Sequence, residues 1–277
     1  MKAAGLEWLP MALALCLLAA CTASPAVRAP ANPSSACQCT PQPSESPCAA
    51  PTHETDGAVR TSYYAAPDLD HGLVQSPVNI LSGETIDRKH AVAVHYSHES
   101  ALFIENKGHT VEVDFPRGSS IDFDARTYEL KQLHFHTPSE HQVDGVTYPM
   151  EMHIVNVRGG VESGAPPEFL VVSFLFRMGR ASAFLDSFLD LMPATVGGHE
   201  DLTAERVYVD DLLPPGQVPS YFHYVGSLTT PPYSETVEWL VLKQPIEASP
   251  RQIQRINAIE GDNARHVQAL YGRTVER

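Results

Sequence analysis

The run Gln132-Leu133-His134-Phe135-His136-Thr137-Pro138-Ser139-Glu140-His141 constrains this chain more than any other stretch. A strand sends successive side chains to opposite faces of its sheet. His134 and His136 therefore share one face, and Leu133 and Phe135 the other. A second alternating run, Met150-Glu151-Met152-His153-Ile154-Val155, follows closely. Val143-Asp144-Gly145-Val146 lies between the two, and Asp-Gly is a strong tight-turn signal. A hairpin folded about Asp144-Gly145 sets His153 opposite His136, on the same face. Three imidazoles then converge, and three neutral histidines with a position left for water form a donor set for catalytic zinc. A lone strand histidine is more often structural or solvent-exposed. A His-x-His pair with a third histidine in register across a hairpin is far less often accidental. Gln132 and Glu151 fall on the histidine face, each two residues before a histidine, where each can accept a ring N–H and set the tautomer.

The chain has 277 residues, enough for one large domain plus extensions, and its 43% hydrophobic content supports a sizeable core. A formal net charge of -14 argues against nucleic acid and anionic membrane surfaces as partners. Residues 1–21 read as a targeting segment whose apolar stretch is too short to span a bilayer. It ends in Leu18-Ala19-Ala20-Cys21, and small residues just before a cysteine resemble the bacterial lipoprotein processing box. That predicts an exported protein lipidated at Cys21 and held in the periplasm at the outer membrane; a plain signal peptide cut nearby is the alternative. From Thr22 to Arg60 there is no Leu, Ile, Met, Phe, Tyr or Trp. Such a segment cannot bury enough apolar surface to offset its ordering entropy, so 22–60 is expected to be a disordered tether. Cys37, Cys39 and Cys48 all fall in it and no cysteine follows. A folded domain over 61–277 therefore has no internal disulfide.

Strand-like runs recur at 91–96, 102–106, 110–115, 128–136, 149–157, 169–178, 206–209 and 235–242, many of them alternating polar and apolar residues as antiparallel strands do. The run 169–178 is nearly all apolar and should be a central strand. Two helices are predicted. One covers 183–191, with Phe184, Leu185, Phe188, Leu189 and Met192 on one face. The other starts at Ser249-Pro250, carries Ile253, Ile256 and Ile259 as a stripe, and stops at Gly261. The fold class is α+β and sheet-dominated: one large, twisted, mostly antiparallel central sheet with a few short peripheral helices.

Gln132-x-His134-x-His136, Ser139-Glu140-His141, Glu151-x-His153 and Gly226-Ser227-Leu228-Thr229-Thr230-Pro231-Pro232 together resemble the α-class carbonic anhydrases. The resemblance extends from Gln75-Ser76-Pro77-Val78-Asn79-Ile80 to Asp262-Asn263-Ala264-Arg265 and Leu270-Tyr271-Gly272-Arg273. It implies a zinc enzyme, with Zn2+ on His134, His136 and His153, that reversibly hydrates carbon dioxide to bicarbonate and a proton. Glu140 and Thr229 would act jointly. An ionised carboxylate only accepts hydrogen bonds and a threonine hydroxyl has one proton, so Thr229 donating to Glu140 must accept from the attacking oxygen. Thr230 would help hold bicarbonate. Val155, Val171, Leu228, Val237 and Trp239 would form the apolar wall for carbon dioxide. His109, in Asn106-Lys107-Gly108-His109, matches the family's proton shuttle, and the Lys107 charge disfavours the protonated ring. Many exported relatives carry a disulfide whose second cysteine directly follows Pro-Pro; here that place is Tyr233. Relatives also open with a tryptophan-containing stretch ahead of Gln-Ser-Pro, for which only Tyr63-Tyr64 and His71-Gly72-Leu73-Val74 stand here. Two other classes are the alternatives: a catalytically weak surface-binding relative, against which the presence of His134, His136 and His153 together argues, and a zinc esterase, whose hydrolytic substrate pocket the sequence does not display. Oligomeric state is not set by the sequence.

Overall fold

The computed structural model describes residues 72–158, 166–216 and 218–277. Cys21, the tether cysteines and Tyr63-Tyr64 lie outside the described residues. Fourteen strands are present: β1 (Asn79–Ile80), β2 (Val92–His95), β3 (Phe103–Asn106), β4 (Val111–Asp114), β5 (Ser120–Phe123), β6 (Arg126–His136), β7 (Gln142–Val143), β8 (Val146–Thr147), β9 (Met150–Arg158), β10 (Phe169–Met178), β11 (His199–Asp201), β12 (Tyr221–Gly226), β13 (Val237–Leu242) and β14 (Ile246–Ala248). Two α-helices accompany these strands among the described residues, α1 (Ala183–Asp186) and α2 (Pro250–Glu260).

One 11-stranded sheet runs β11-β3-β4-β6-β9-β10-β13-β12, with β5 on β6, β2 on β5 and β14 on β10. β10 pairs in parallel with β13 and β14, and the other pairs of this sheet are antiparallel. The nearly all-apolar β10 is central, as expected of a strand covered on both faces. Alternation divides the interior into two clusters. Leu133 and Phe135 of β6, Met152 and Ile154 of β9, and Val172 and Phe174 of β10 point to one face, against Phe184, Leu185 and Phe188 and against Ile253 and Ile256 of α2. Val155, Val171, Leu175, Val237 and Trp239 belong to the other cluster, on the histidine face. Each fully buried Leu, Ile or Phe contributes about 1.5–3 kcal/mol, so the larger cluster can offset the cost of burying polar groups across the sheet.

Three local expectations change. The turn at Asp144-Gly145 does fold as a tight hairpin, pairing Gln142 with Thr147 and Val143 with Val146. The long strands, however, pair His134 with His153 and His136 with Glu151, so His153 is not opposite His136. The chain leaves the ladder between β6 and β7 and between β8 and β9, and the inner register is not carried outward. The offset is even, so parity survives and the three histidines keep one face. A one-residue bulge at Lys131 then shifts the far half of the β6–β9 ladder. The 206–209 run is not a strand; a 3-10 turn spans Val209–Asp211. The 183–191 helix breaks into α1 and a 3-10 turn at Leu189–Leu191. There the Ser187 hydroxyl donates to the Phe184 carbonyl at 2.6 Å and Phe188 leaves the helical region at φ -138. Its five apolar residues are nonetheless all buried. α2 follows its signals: Ser249 and Gln252 form a capping box, and Gly261 ends it at φ +71.

Candidate active site

β6 and β9 bring His134, His136 and His153 together. Their ring centroids are 5.0, 5.2 and 4.7 Å apart, and one nitrogen of each lies within 4.8 Å of the others. The outward nitrogens are taken: His134 Nδ1 is 2.9 Å from Gln132 Oε1 and His153 Nε2 is 2.8 Å from Glu151 Oε1. His134 Nε2 and His153 Nδ1 are left facing each other at 3.3 Å. His136 Nε2 and Glu140 Oε2, 3.5 Å apart, are both buried with no hydrogen-bond partner. Burial, and after it the neighbouring histidines, hold His134 and His136 well below the usual imidazole range. Their lone pairs are thus available at neutral pH. Three imidazoles, two of them held from behind by an amide or carboxylate oxygen and the third, His136, with unpartnered buried nitrogens, fit a zinc ion.

Glu151 is the hub beneath the rings. Its Oε2 accepts from the Glu140 and His141 amides, both at 2.8 Å, and its Oε1 accepts from His141 Nδ1 and the Ser173 hydroxyl, both at 2.6 Å, besides His153. Burial alone would raise this carboxyl, but His141 and His153 hold it well below the usual range. From His141 the network passes to the Tyr224 hydroxyl at 2.6 Å and on to Ser76 Oγ at 2.9 Å. Gly226 ends β12 against this network: a Cβ there would fall 2.1 Å from Ser76 Oγ and 2.8 Å from the Tyr224 ring. Glu140 Oε1 accepts from the Arg265 amide at 2.9 Å. Burial and the Glu151 charge push Glu140 up to about 8, against the Arg265 amide and the adjacent Thr229 hydroxyl. A divalent cation at the histidines would draw it back down.

Val155, Val171, Val237 and Trp239 are buried on the histidine face with Leu228 packed against them. The Trp239 ring is 4.8 Å from His153, and its indole N–H donates to the Ser227 carbonyl at 3.1 Å. His109, Thr229 and Thr230 line one cleft with His136. Gly108, at φ +92, makes the turn that delivers His109, and Asn263 donates to the His109 carbonyl at 3.0 Å. His109 is lowered, first by burial and then by the Lys107 charge, while a backbone hydrogen bond opposes both. Lys107 itself pairs with Glu105.

Several residues here had no role assigned from sequence. His141 and Ser173 hold Glu151, and Tyr224 holds His141. Ser173 carried a signal, a single hydroxyl in an otherwise apolar stretch with the parity of Val171. Tyr233 and Arg265 join the cleft wall, with the Arg265 guanidinium 3.9 Å over the Tyr233 ring. Tyr233 thus fills the place after Pro-Pro in a left-handed conformation, φ +59.

The sequence model of the eukaryotic-type carbonic anhydrases matches residues 63–277. The chain belongs to the α-class carbonic anhydrase family. The carbonic anhydrase of Neisseria gonorrhoeae is 39% identical over 207 residues, covering 74% of this chain and 77% of that protein. The solved α-carbonic anhydrase of Thermovibrio ammonificans, in complex with the inhibitor sulfanilamide, superposes with a TM-score of 0.68 at 36% identity, covering 74% of this chain and 88% of the other. That of Photobacterium profundum gives 0.66 at 34% identity, covering 74% and 90%. Family membership makes the chain an enzyme acting on carbon dioxide and bicarbonate, and its mostly antiparallel sheet is the fold that the resemblance implied.

Proposed function

We propose that this carbonic anhydrase is zinc-dependent and reversible, with the metal held by His134, His136 and His153. The observation that carries the reading is the convergence of a ring nitrogen from each of three histidines, two of which, His134 and His153, are held from behind by Gln132 and Glu151. Zinc bound there supplies the Lewis acidity that lowers the pKa of water, for which carbonic anhydrase is the standard illustration. The chain's own residues do the rest. Gln132 and Glu151 keep the inward nitrogens unprotonated. Thr229 donates to Glu140 and so accepts from the attacking oxygen, turning a lone pair toward the substrate. Val155, Val171, Leu228, Val237 and Trp239 give apolar carbon dioxide a surface free of competing hydrogen-bond partners, and Thr230 meets the more polar product. His109 takes the released proton toward solvent. The test is carbon dioxide hydration followed with a pH indicator, before and after chelation. Activity should vanish on chelation, return with zinc and be lost in His153→Ala. Full activity in the chelated protein would refute the assignment.

The catalytic domain spans 61–277 in this proposal, a boundary supported by the family match that begins at residue 63. A signal segment, 1–21, and a tether, 22–60, precede it, and lipidation of Cys21 attaches the enzyme to the outer membrane on its periplasmic side. The support is the Leu18-Ala19-Ala20-Cys21 box. A Cys21→Ser protein that still fractionates with membranes would show that the lipid is not the anchor.

A further inference from the structure

A second cluster of histidines and carboxylates lies outside the active site, where the C-terminal residues meet the sheet. Glu276 is bridged to His223 of β12 on one side and to Ile86 on the other. Backbone hydrogen bonds fix it there: His223 and Glu276 exchange both amide-to-carbonyl bonds, at 2.8 and 2.9 Å, and Arg277 donates to the Ile86 carbonyl at 2.9 Å. One oxygen of its carboxylate, Oε2, sits between two imidazoles, 2.8 Å from His90 Nε2 and 2.6 Å from His223 Nδ1. The outward nitrogen of each ring is held by its own carboxylate: His90 Nδ1 by Asp124 Oδ2 at 2.6 Å, and His223 Nε2 by Glu238 Oε2 at 2.8 Å. Two rings oriented from behind by carboxylates, with their other nitrogens aimed at a third carboxylate, form the pattern by which proteins position metal ligands. The side chains of His90, His223 and Glu276 are only 4%, 7% and 10% exposed, and a cavity of about 230 Å³ opens over them as an entry path.

We propose that His90 Nε2, His223 Nδ1 and a Glu276 carboxylate oxygen form a second divalent-metal site, suited to zinc and distinct from the catalytic histidines. A neutral imidazole donates only one hydrogen bond. Four ring-to-carboxylate contacts therefore need four protons when no metal is bound, two of them on the inward contacts between the rings and Glu276. One divalent cation replaces the two inward protons at equal charge: His90 Nε2 and His223 Nδ1 each lose a proton to solvent and bind the ion, while the outward N–H groups stay on Asp124 and Glu238. The other charges facing the site are Arg88, which donates to Glu276 Oε1 at 2.8 Å, and Arg126, which is 3.4 Å from Glu238. With three carboxylates, these two guanidiniums leave one negative charge for the cation to meet. Metal–ligand bonds of about 2.0–2.1 Å place neighbouring donors somewhat over 3 Å apart, so the ligands must spread by about half an ångström from their present contacts, a movement the Glu276 side chain can absorb.

The test is zinc stoichiometry of the full-length protein by elemental analysis after equilibration at micromolar free zinc. The parent should hold two zinc ions per chain. His90→Gln, whose amide can still donate to Glu276, and Glu276→Gln should each hold one and keep carbon dioxide hydration, which also shows that they fold. His153→Ala should hold one, lost on adding His90→Gln. A parent with a single zinc that His153→Ala removes would overturn the proposal and leave the catalytic reading standing. A second zinc that survives both His90→Gln and Glu276→Gln, held for example by Cys37, Cys39 and Cys48, would overturn it too. A zinc lost in His90→Gln and retained in His153→Ala would uphold the second site while refuting the catalytic one.

Discussion

Glu151→Gln replaces a buried carboxylate by an amide of the same shape. The amide oxygen can keep the two contacts to the Glu140 and His141 backbone amides, each 2.8 Å in the parent. The amide nitrogen must then stand where Oε1 accepts from His141 Nδ1, His153 Nε2 and Ser173 Oγ, at 2.6, 2.8 and 2.6 Å. An NH2 group has two protons and nothing to accept with, so it meets donors. Ser173 can rotate its hydroxyl and accept. A histidine can relieve the conflict only by moving its proton to the other nitrogen, and in His153 that is Nδ1, the one facing His134 at 3.3 Å. A protonated Nδ1 cannot bind metal. Loss of the carboxylate behind a ligating histidine typically costs 10–100-fold in metal affinity, about 1.4–2.8 kcal/mol. The tautomer change argues for the upper end, about 100-fold. A hydrogen bond to a charged group contributes about 1.5–3 kcal/mol, and two are disrupted with partial replacement, so the metal-free protein should lose about 2–4 kcal/mol. Competition with a chromophoric chelator measures the first quantity and urea unfolding of the metal-free protein the second. A zinc Kd within threefold of the parent value would refute the tautomer argument.

Glu276→Gln tests the ion cluster at the C-terminus. Burial would raise this carboxyl, but hydrogen bonds from His223, His90 and Arg88 hold it down at about 2, below its ordinary value of 4.5; a depressed carboxyl stabilises the fold above its unfolded pKa and ceases to do so as pH falls through the folded one. The substitution should therefore cost about 3 kcal/mol at pH 7 and little near pH 2, by metal-free urea unfolding at both pH values, and an equal cost at both would refute the linkage. His109→Ala should lower kcat while leaving kcat/KM almost unchanged, with added imidazole restoring turnover, because proton export follows product release. Equal losses in both parameters would make His109 a structural turn residue. Gly226→Ala forces a methyl into Ser76 and Tyr224, which costs about 2–3 kcal/mol and about 4–10 °C in Tm. An unchanged Tm would mean that β12 can move away from Ser76 freely.

The shared face of His134, His136 and His153 was legible because alternation along a strand is a local property, and an even change of register cannot undo it. The same holds for β10, whose unbroken apolar run marks a strand buried on both faces, and for α2, whose Ser249 cap and Gly261 stop act within a turn of their own positions. Which residue faces which was another matter. His153 lies opposite His134 and not His136 because the chain leaves the ladder on either side of the inner hairpin, which no local pattern records. The helix expected at 183–191 kept its buried stripe and lost its continuity, since burial follows apolar periodicity while the backbone also answers to Ser187. Glu151 as a hub required Ser173 and His141 to arrive from separate segments, and the cluster of His90, His223 and Glu276 required the chain's end to close against β12. Contacts such as that of His90 with Glu276, 186 positions apart in the chain, leave no trace in local spacing, because they depend on how the strands are ordered rather than on what any one strand contains.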